Sequence, residues 1–152
     1  MGKPHLSIRD QVQLEIQAKW MPRALQLLIP YAEAPRDSNK KSKHAAGLFS
    51  TKGLLLAVGV NNGKTNPLVV GYEAFRQGGV HAEAAALLAF EAKNKQPSYA
   101  DKVLVSIRST GKQEALLARP CLGCASLIYR KGIRFVWHTD NQGSVVSDRR
   151  FL

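Results

Sequence analysis

The chain predicts an α/β protein, a three-layer α/β/α sandwich around a mixed sheet. Three observations carry this. Apolar runs of strand length alternate with Ala- and Leu-rich stretches of helical length. Two short strands within 45–60 are joined by a tight turn, which gives a hairpin. Strand-helix-strand order further on implies parallel neighbours joined by right-handed crossovers. With 152 residues, 45% of them hydrophobic, the chain suits one domain, 1–152, with an N-terminal helical segment at 6–32. No internal repeat or linker interrupts it.

Ser7 opens Ser-Ile-Arg-Asp, capping-box spacing with Asp in place of Glu. Ile8, Val12 and Ile16 recur every four residues and read as the buried stripe of a first helix. Pro22 is expected to break or kink that helix near Trp20, with Ala24, Leu27, Leu28 and Tyr31 continuing it to about Pro30. Residues 33–43 are a polar loop carrying Arg36, Lys40, Lys41 and Lys43, read either as a solvated connector or as a phosphate-binding edge. Residues 45–51 and 54–60 are the hairpin strands, joined through Thr51-Lys52-Gly53. The run 54–58 is nearly all apolar, as a central strand covered on both faces would be. Residues 67–80 are irregular, with Gly71, Gly78 and Gly79.

Residues 82–95 are a helix rich in Ala and Leu, ended by Pro97. A strand at 103–107 and a long connection at 110–119 follow. Residues 121–131 form the next helix, with Gly132 placed to cap it in the left-handed conformation. A strand at 133–137, a turn at 140–143 and a last short strand within 144–152 complete the order.

Charge narrows the partners. Lys and Arg number 22 against 11 Asp and Glu, a net charge of +11. That excess favours polyanionic or phosphate-bearing partners. The N-terminus is polar with mixed charge and does not read as a signal peptide. The longest apolar run, 54–60, is too short to cross a bilayer. A soluble, cytoplasmic protein is expected, without membrane contact.

The two cysteines of the chain, Cys121 and Cys124, share one Pro-Cys-x-x-Cys motif, a metal-type spacing rather than a disulfide framework. On a helix, i and i+3 project from one side. His81 adds a third ligand of the kind that zinc takes, and a catalytic zinc keeps three protein ligands with a fourth position open. Both motifs fall at expected helix starts, where the partial positive charge favours thiolate. Glu83, two residues after His81, is the candidate general acid/base. On a regular helix those two side chains point roughly opposite ways, so the first turn must be irregular or Glu83 must reach across the floor of the pocket. A structural zinc site would need a fourth ligand. His5, His44 and His138 are the remaining imidazoles, and none has finger-like spacing from Cys124.

His81-Ala82-Glu83 followed by Pro120-Cys121-Leu122-Gly123-Cys124 is the signature of zinc-dependent nucleobase deaminases. With the hairpin ending Gly59-Val60-Asn61, the stretch Lys64-Thr65-Asn66-Pro67 and residues 103–108, the chain resembles the cytidine deaminase-like superfamily over roughly 45–140. The overall look is similar to small CMP/dCMP-type deaminases. The resemblance implies a sheet of about five strands with zinc between two helix starts. It implies Zn2+ ligands at His81, Cys121 and Cys124, and a proton shuttle at Glu83. It implies a sugar-hydroxyl contact at Asn61 and a base contact at the Ala82 backbone amide.

The implied reaction is hydrolytic deamination of cytosine to uracil. A base must be unpaired or flipped for this chemistry. Tyr72 and Phe75, just before His81, and Trp137, after the second zinc helix, are candidates to border the pocket, with ordinary core packing the other reading, the favoured one for Trp137 and an even one for Tyr72. Lys64, Arg76 and Arg119 are candidates for a phosphate. Charge spread along the whole chain exceeds what one phosphate needs, so single-stranded DNA or RNA is the favoured partner. A free (deoxy)cytidine nucleotide or nucleoside is the alternative, then adenosine in RNA, then a non-catalytic zinc-stabilised nucleic-acid binder.

Overall fold

In a computed structural model, residues 6–34, 43–61, 81–109 and 115–152 are described. The elements run α1 (Ile8–Glu33), β1 (Lys43–Ser50), β2 (Leu55–Val60), α2 (Ala82–Lys93), β3 (Lys102–Ser109), β4 (Ala115–Leu116), α3 (Leu122–Lys131), β5 (Phe135–Thr139), β6 (Val145–Ser147) and a 3-10 turn, Arg149–Phe151. The mixed sheet has the order β2-β1-β3-β5-β6, and the two-residue β4 pairs with the far end of β3. The pairs β1–β2, β1–β3 and β5–β6 are antiparallel, and β3–β5 is parallel across α3. Of the two strand-helix-strand units, only this second one joins neighbours, because β1 lies between β2 and β3.

The layers are those expected. On one face, Met21, Ala24, Leu28 and Ala32 of α1 pack with Phe49, Val103, Ile107 and Trp137. On the other, Ala82, Leu87 and Phe90 of α2 and Cys124, Leu127 and Ile128 of α3 pack with Leu48, Leu104 and Val136. No helix among the described residues is long and apolar enough to cross a membrane.

Helix α1 departs from expectation twice. It runs unbroken through Pro22 and Pro30. Both prolines are exposed, as are Ala18 and Gln26 one turn earlier. The carbonyls that the prolines leave without an N–H donor therefore face water, which lowers the cost of each missing bond. The stripe Ile8, Val12, Ile16 is exposed, and the buried stripe is Asp10, Gln17, Met21, Ala24, Leu28 and Ala32. The stripe opens with two polar residues, each held by one long-range partner. Arg134 Nη2 donates to Asp10 Oδ2 at 2.7 Å, and Trp137 Nε1 donates to Gln17 Oε1 at 2.8 Å. Ser7 caps the helix as read, accepting the Asp10 N–H at 3.1 Å.

β2 is corrected from a central to an edge strand within the described sheet. Its apolar run reports helices on both faces, α1 and α2, which says nothing about in-plane neighbours. The expected last strand is shortened to β6, because Asp148 turns the chain by accepting the Arg150 N–H at 3.1 Å. Gly132 takes the left-handed conformation, φ 83°, and ends α3 as read.

Gly59 sets how closely α2 approaches the sheet. A Cβ there would strike the α2 backbone at Ala82 and Ala86 and stand 2.6 Å from the Ala85 carbonyl carbon. Backbone cannot swing aside as a side chain can. Gly59→Ala should therefore cost about 3 kcal/mol in urea denaturation, the upper end for overpacking. Gly132→Ala, with nothing within 4 Å of a new Cβ, should cost only about 1 kcal/mol of left-handed strain. Equal costs would mean that α2 does not sit this close to β2.

Candidate active site

Two helix starts meet at one end of the sheet. His81 caps α2 with extended backbone, φ −73° and ψ 152°, and Cys121 caps α3 likewise, φ −66° and ψ 172°. This resolves the spacing problem between His81 and Glu83. The His81 side chain leaves from a non-helical residue, while Glu83 sits in the first helical turn and points inward. Cys121 and Cys124 share one side as expected, and Cys121 Sγ accepts the Cys124 N–H at 3.4 Å.

His81 Nδ1 lies 3.4 Å from Cys121 Sγ and 3.3 Å from Cys124 Sγ. The three ligand atoms all fall within 4.8 Å of one another. Zinc bonded to nitrogen at ~2.05 Å and sulfur at ~2.3 Å in a tetrahedron needs N···S separations of about 3.6 Å. The donor set and its spacing therefore fit zinc. Among the described residues this group has three donors and no fourth His, Cys, Asp or Glu; a catalytic zinc takes three protein ligands and keeps one position open. Cys121 is exposed, His81 half-buried and Cys124 buried, so the open side faces outward.

The two thiols divide one proton. Hydrogen bonding from Cys124 outweighs burial and, with His81, pulls Cys121 down to about 4. The Cys121 sulfur, burial and the Glu83 charge push Cys124 far up. Metal binding must displace the Cys124 proton.

Glu83 is 1% exposed, which places a carboxylate in the core. Burial opposes its charge. The nearby His44, a hydrogen bond from Ser106 and contacts with its own backbone amide and Cys124 outweigh that, and hold it below the usual carboxylate value. Ser106 Oγ donates to Glu83 Oε1 at 2.7 Å. His44 Nε2 lies 3.3 Å from the same oxygen and 2.7 Å from Ser106 Oγ. The sequence reading missed Ser106 and counted His44 only as a spare imidazole. These residues meet through pairing of β1 with β3, and nothing local in the sequence announces it.

A second missed set steadies the cysteine loop. Arg150 Nη2 donates to the Pro120 carbonyl at 3.2 Å and to Asp148 Oδ2 at 2.6 Å. Asp148 is buried, and its N–H donates to the Val136 carbonyl at 2.7 Å. The residue before Cys121 is thereby tied to β5.

The expected substrate contacts fare unevenly. Ala82 is buried in the first turn of α2, where amide N–H groups lack intrahelical partners. Asn61 Oδ1 accepts the His44 N–H at 3.1 Å, which closes the base of the hairpin. Arg119 is exposed one residue before Pro120. Trp137 is corrected: it is buried on the α1 face with its indole held by Gln17, on the opposite side of the sheet from His81. Tyr72, Phe75, Lys64 and Arg76 lie outside the described residues.

No family model matches the chain, and no curated protein matches it. Solved structures do match. The dCMP deaminase from the cyanophage S-TIM5 in apo form aligns with TM-score 0.51 and 22% identity over 84% of each chain. The same enzyme in complex with dCMP and dUMP aligns with TM-score 0.53 and 20% identity, over 90% of this chain and 85% of that one. Cytidine deaminase from Mycobacterium leprae aligns at 0.47 and 18%, over 93% and 94%.

The sulfur assignment has a direct readout. In metal-free protein at pH 6, two units above the Cys121 value of about 4, Cys121 is thiolate and Cys124 is thiol. Iodoacetamide should then label Cys121 well ahead of Cys124, and zinc should suppress labelling of both. Equal labelling with and without zinc would contradict a shared metal site.

Proposed function

We propose that this chain, which has the fold of the cytidine deaminase-like superfamily, hydrolytically deaminates a cytosine ring. Water and cytosine give uracil and ammonia. One observation carries the reading: a buried carboxylate, Glu83, stands 3.4 Å by its Oε2 from Cys124 Sγ, against a three-ligand His/Cys/Cys set. A structural zinc site has no use for a buried acid beside its ligands.

His81 Nδ1, Cys121 Sγ and Cys124 Sγ would hold the ion. Zinc, when bound, supplies a Lewis acid that lowers the pKa of water to about 7. The chain's own residues do the rest. Ionised Glu83 takes a proton from the attacking water and passes it to the ring nitrogen, then takes the proton left on the added hydroxyl and gives it to the amine, which departs as ammonia. Its lowered pKa keeps it ready as a base at neutral pH. The amide of Ala82 holds the base, Asn61 meets the sugar hydroxyl, and Tyr72 and Phe75 supply stacking surface.

The substrate bears phosphate, which suits a net charge of +11. Charge on this scale favours single-stranded DNA or RNA, with Arg119 beside the cysteine loop as one backbone contact. A free deoxycytidine nucleotide is the second reading, and it is favoured by the cyanophage dCMP deaminase among the structural matches.

Incubation with single-stranded DNA, RNA, CMP, dCMP and cytidine, followed by analysis for uracil and inosine, separates the substrates. Against the substrate so found, Glu83→Gln should cut ammonia release by at least about 100-fold while zinc content stays at the wild-type level. Wild-type turnover in that variant would remove Glu83 from the reaction.

A further inference from the structure

The two oxygens of Glu83 have different surroundings. Oε2 faces Cys124 Sγ on the metal-ligand side. Oε1 points the other way, into a polar group supplied by β1 and β3. There it accepts the Ser106 hydroxyl at 2.7 Å and lies 3.3 Å from His44 Nε2. Ser106 and Glu83 are both buried, and the His44 side chain is 19% exposed, so Ser106 shields the Glu83 end of the group.

Proton inventory orders the group. A serine hydroxyl carries one hydrogen, and a carboxyl oxygen that bears none only accepts. Ser106 gives its hydrogen to Oε1. The 2.7 Å contact between Ser106 and His44 must then run from imidazole to hydroxyl. His44 therefore carries a proton on Nε2, and donation runs from His44 to Ser106 to Glu83. His44 is itself fixed by the hairpin. Its N–H donates to Asn61 Oδ1 at 3.1 Å, and its carbonyl accepts the Asn61 N–H at 3.3 Å.

We propose that Ser106 and His44 are positioning residues that lock Glu83 through Oε1 and leave Oε2 as the oxygen that carries the proton in turnover. The kinetic part rests on the deaminase reading; the hydrogen-bond order does not. Oε1 accepts the Ser106 hydroxyl in both states of Glu83, because the carbonyl oxygen of a neutral carboxyl accepts as a carboxylate oxygen does. The carboxyl therefore need not rotate between taking a proton and delivering it. The shuttle stays aligned with water and ring, where a misplacement of about 1 Å costs on the order of 100-fold in rate.

Two measurements test this. Long-range 1H–15N spectra of the zinc-loaded protein should show His44 protonated on Nε2, with that proton protected from exchange. The protection should be lost in Ser106→Ala and kept in Ser106→Thr, which retains a hydroxyl. In kinetics, Ser106→Ala and His44→Ala should each lower kcat roughly 10- to 100-fold with KM little changed and zinc content intact. His44→Gln, which keeps a donor near the Nε2 position, should recover most of the loss. A His44 ring with no proton on Nε2, or wild-type kcat in His44→Ala, overturns the proposal. If Ser106→Ala fails to fold, His44→Ala and His44→Gln decide it. If the wild-type protein turns over none of the cytosine substrates, the deaminase reading fails, and the spectra alone judge the lock.

Discussion

The convergence of two helix N-termini at one end of the sheet is the constraint on which the site depends. His81 and Cys121 each stop short of helical backbone, so their side chains can turn toward one another while α2 and α3 run away across the same face. Cys124 and Glu83, inside the first turns, then fall on either side of that meeting point. The first-turn amides, which lack intrahelical partners, add partial positive charge where two sulfurs and a carboxylate concentrate negative charge. Close packing holds the geometry. Gly59 lets α2 sit directly on β2, and Arg150 ties the Pro120 carbonyl to a buried Asp148.

A carboxylate at 1% exposure would ordinarily pick up a proton, since burial penalises charge more than any single neutral contact restores. Here several modest contacts act together. Ser106, His44 and Cys124 each lie within 3.4 Å of one of its oxygens. Their sum reverses the effect of burial, and the acid stays ionised in a place from which water is largely excluded. In the proposed reaction, a base so placed acts on water at the ligand side without competing with bulk solvent. The same arrangement couples Glu83 to Cys124, so the acid and the ligand set behave as one electrostatic unit.

Much of this was legible in the sequence. Spacing alone put Cys121 and Cys124 on one side of a helix start, put His81 at another, and marked Gly132 as a left-handed cap. The three layers followed from element order. What failed did so for identifiable reasons. The buried stripe of α1 begins with Asp10 and Gln17, whose partners Arg134 and Trp137 lie more than a hundred residues away, so a count of apolar residues selected the exposed Ile8, Val12 and Ile16 instead. Pro22 breaks no helix because the face it occupies is open to water. Trp137 stood as a pocket candidate beside its favoured core reading because β5 is buried on both faces, and alternation gives no contrast there. Ser106 and His44 are ordinary strand residues until the pairing of β1 with β3 brings them beneath Glu83.

The central claim is that one zinc ion is held by one imidazole and two thiolates with a position left over. X-ray absorption at the zinc edge of the loaded protein tests it most directly. The account predicts two sulfur scatterers at about 2.3 Å and two nitrogen or oxygen scatterers at about 2.0–2.1 Å, one of the latter exchangeable for an added anion. A shell without sulfur, or a closed set that no anion displaces, would contradict it.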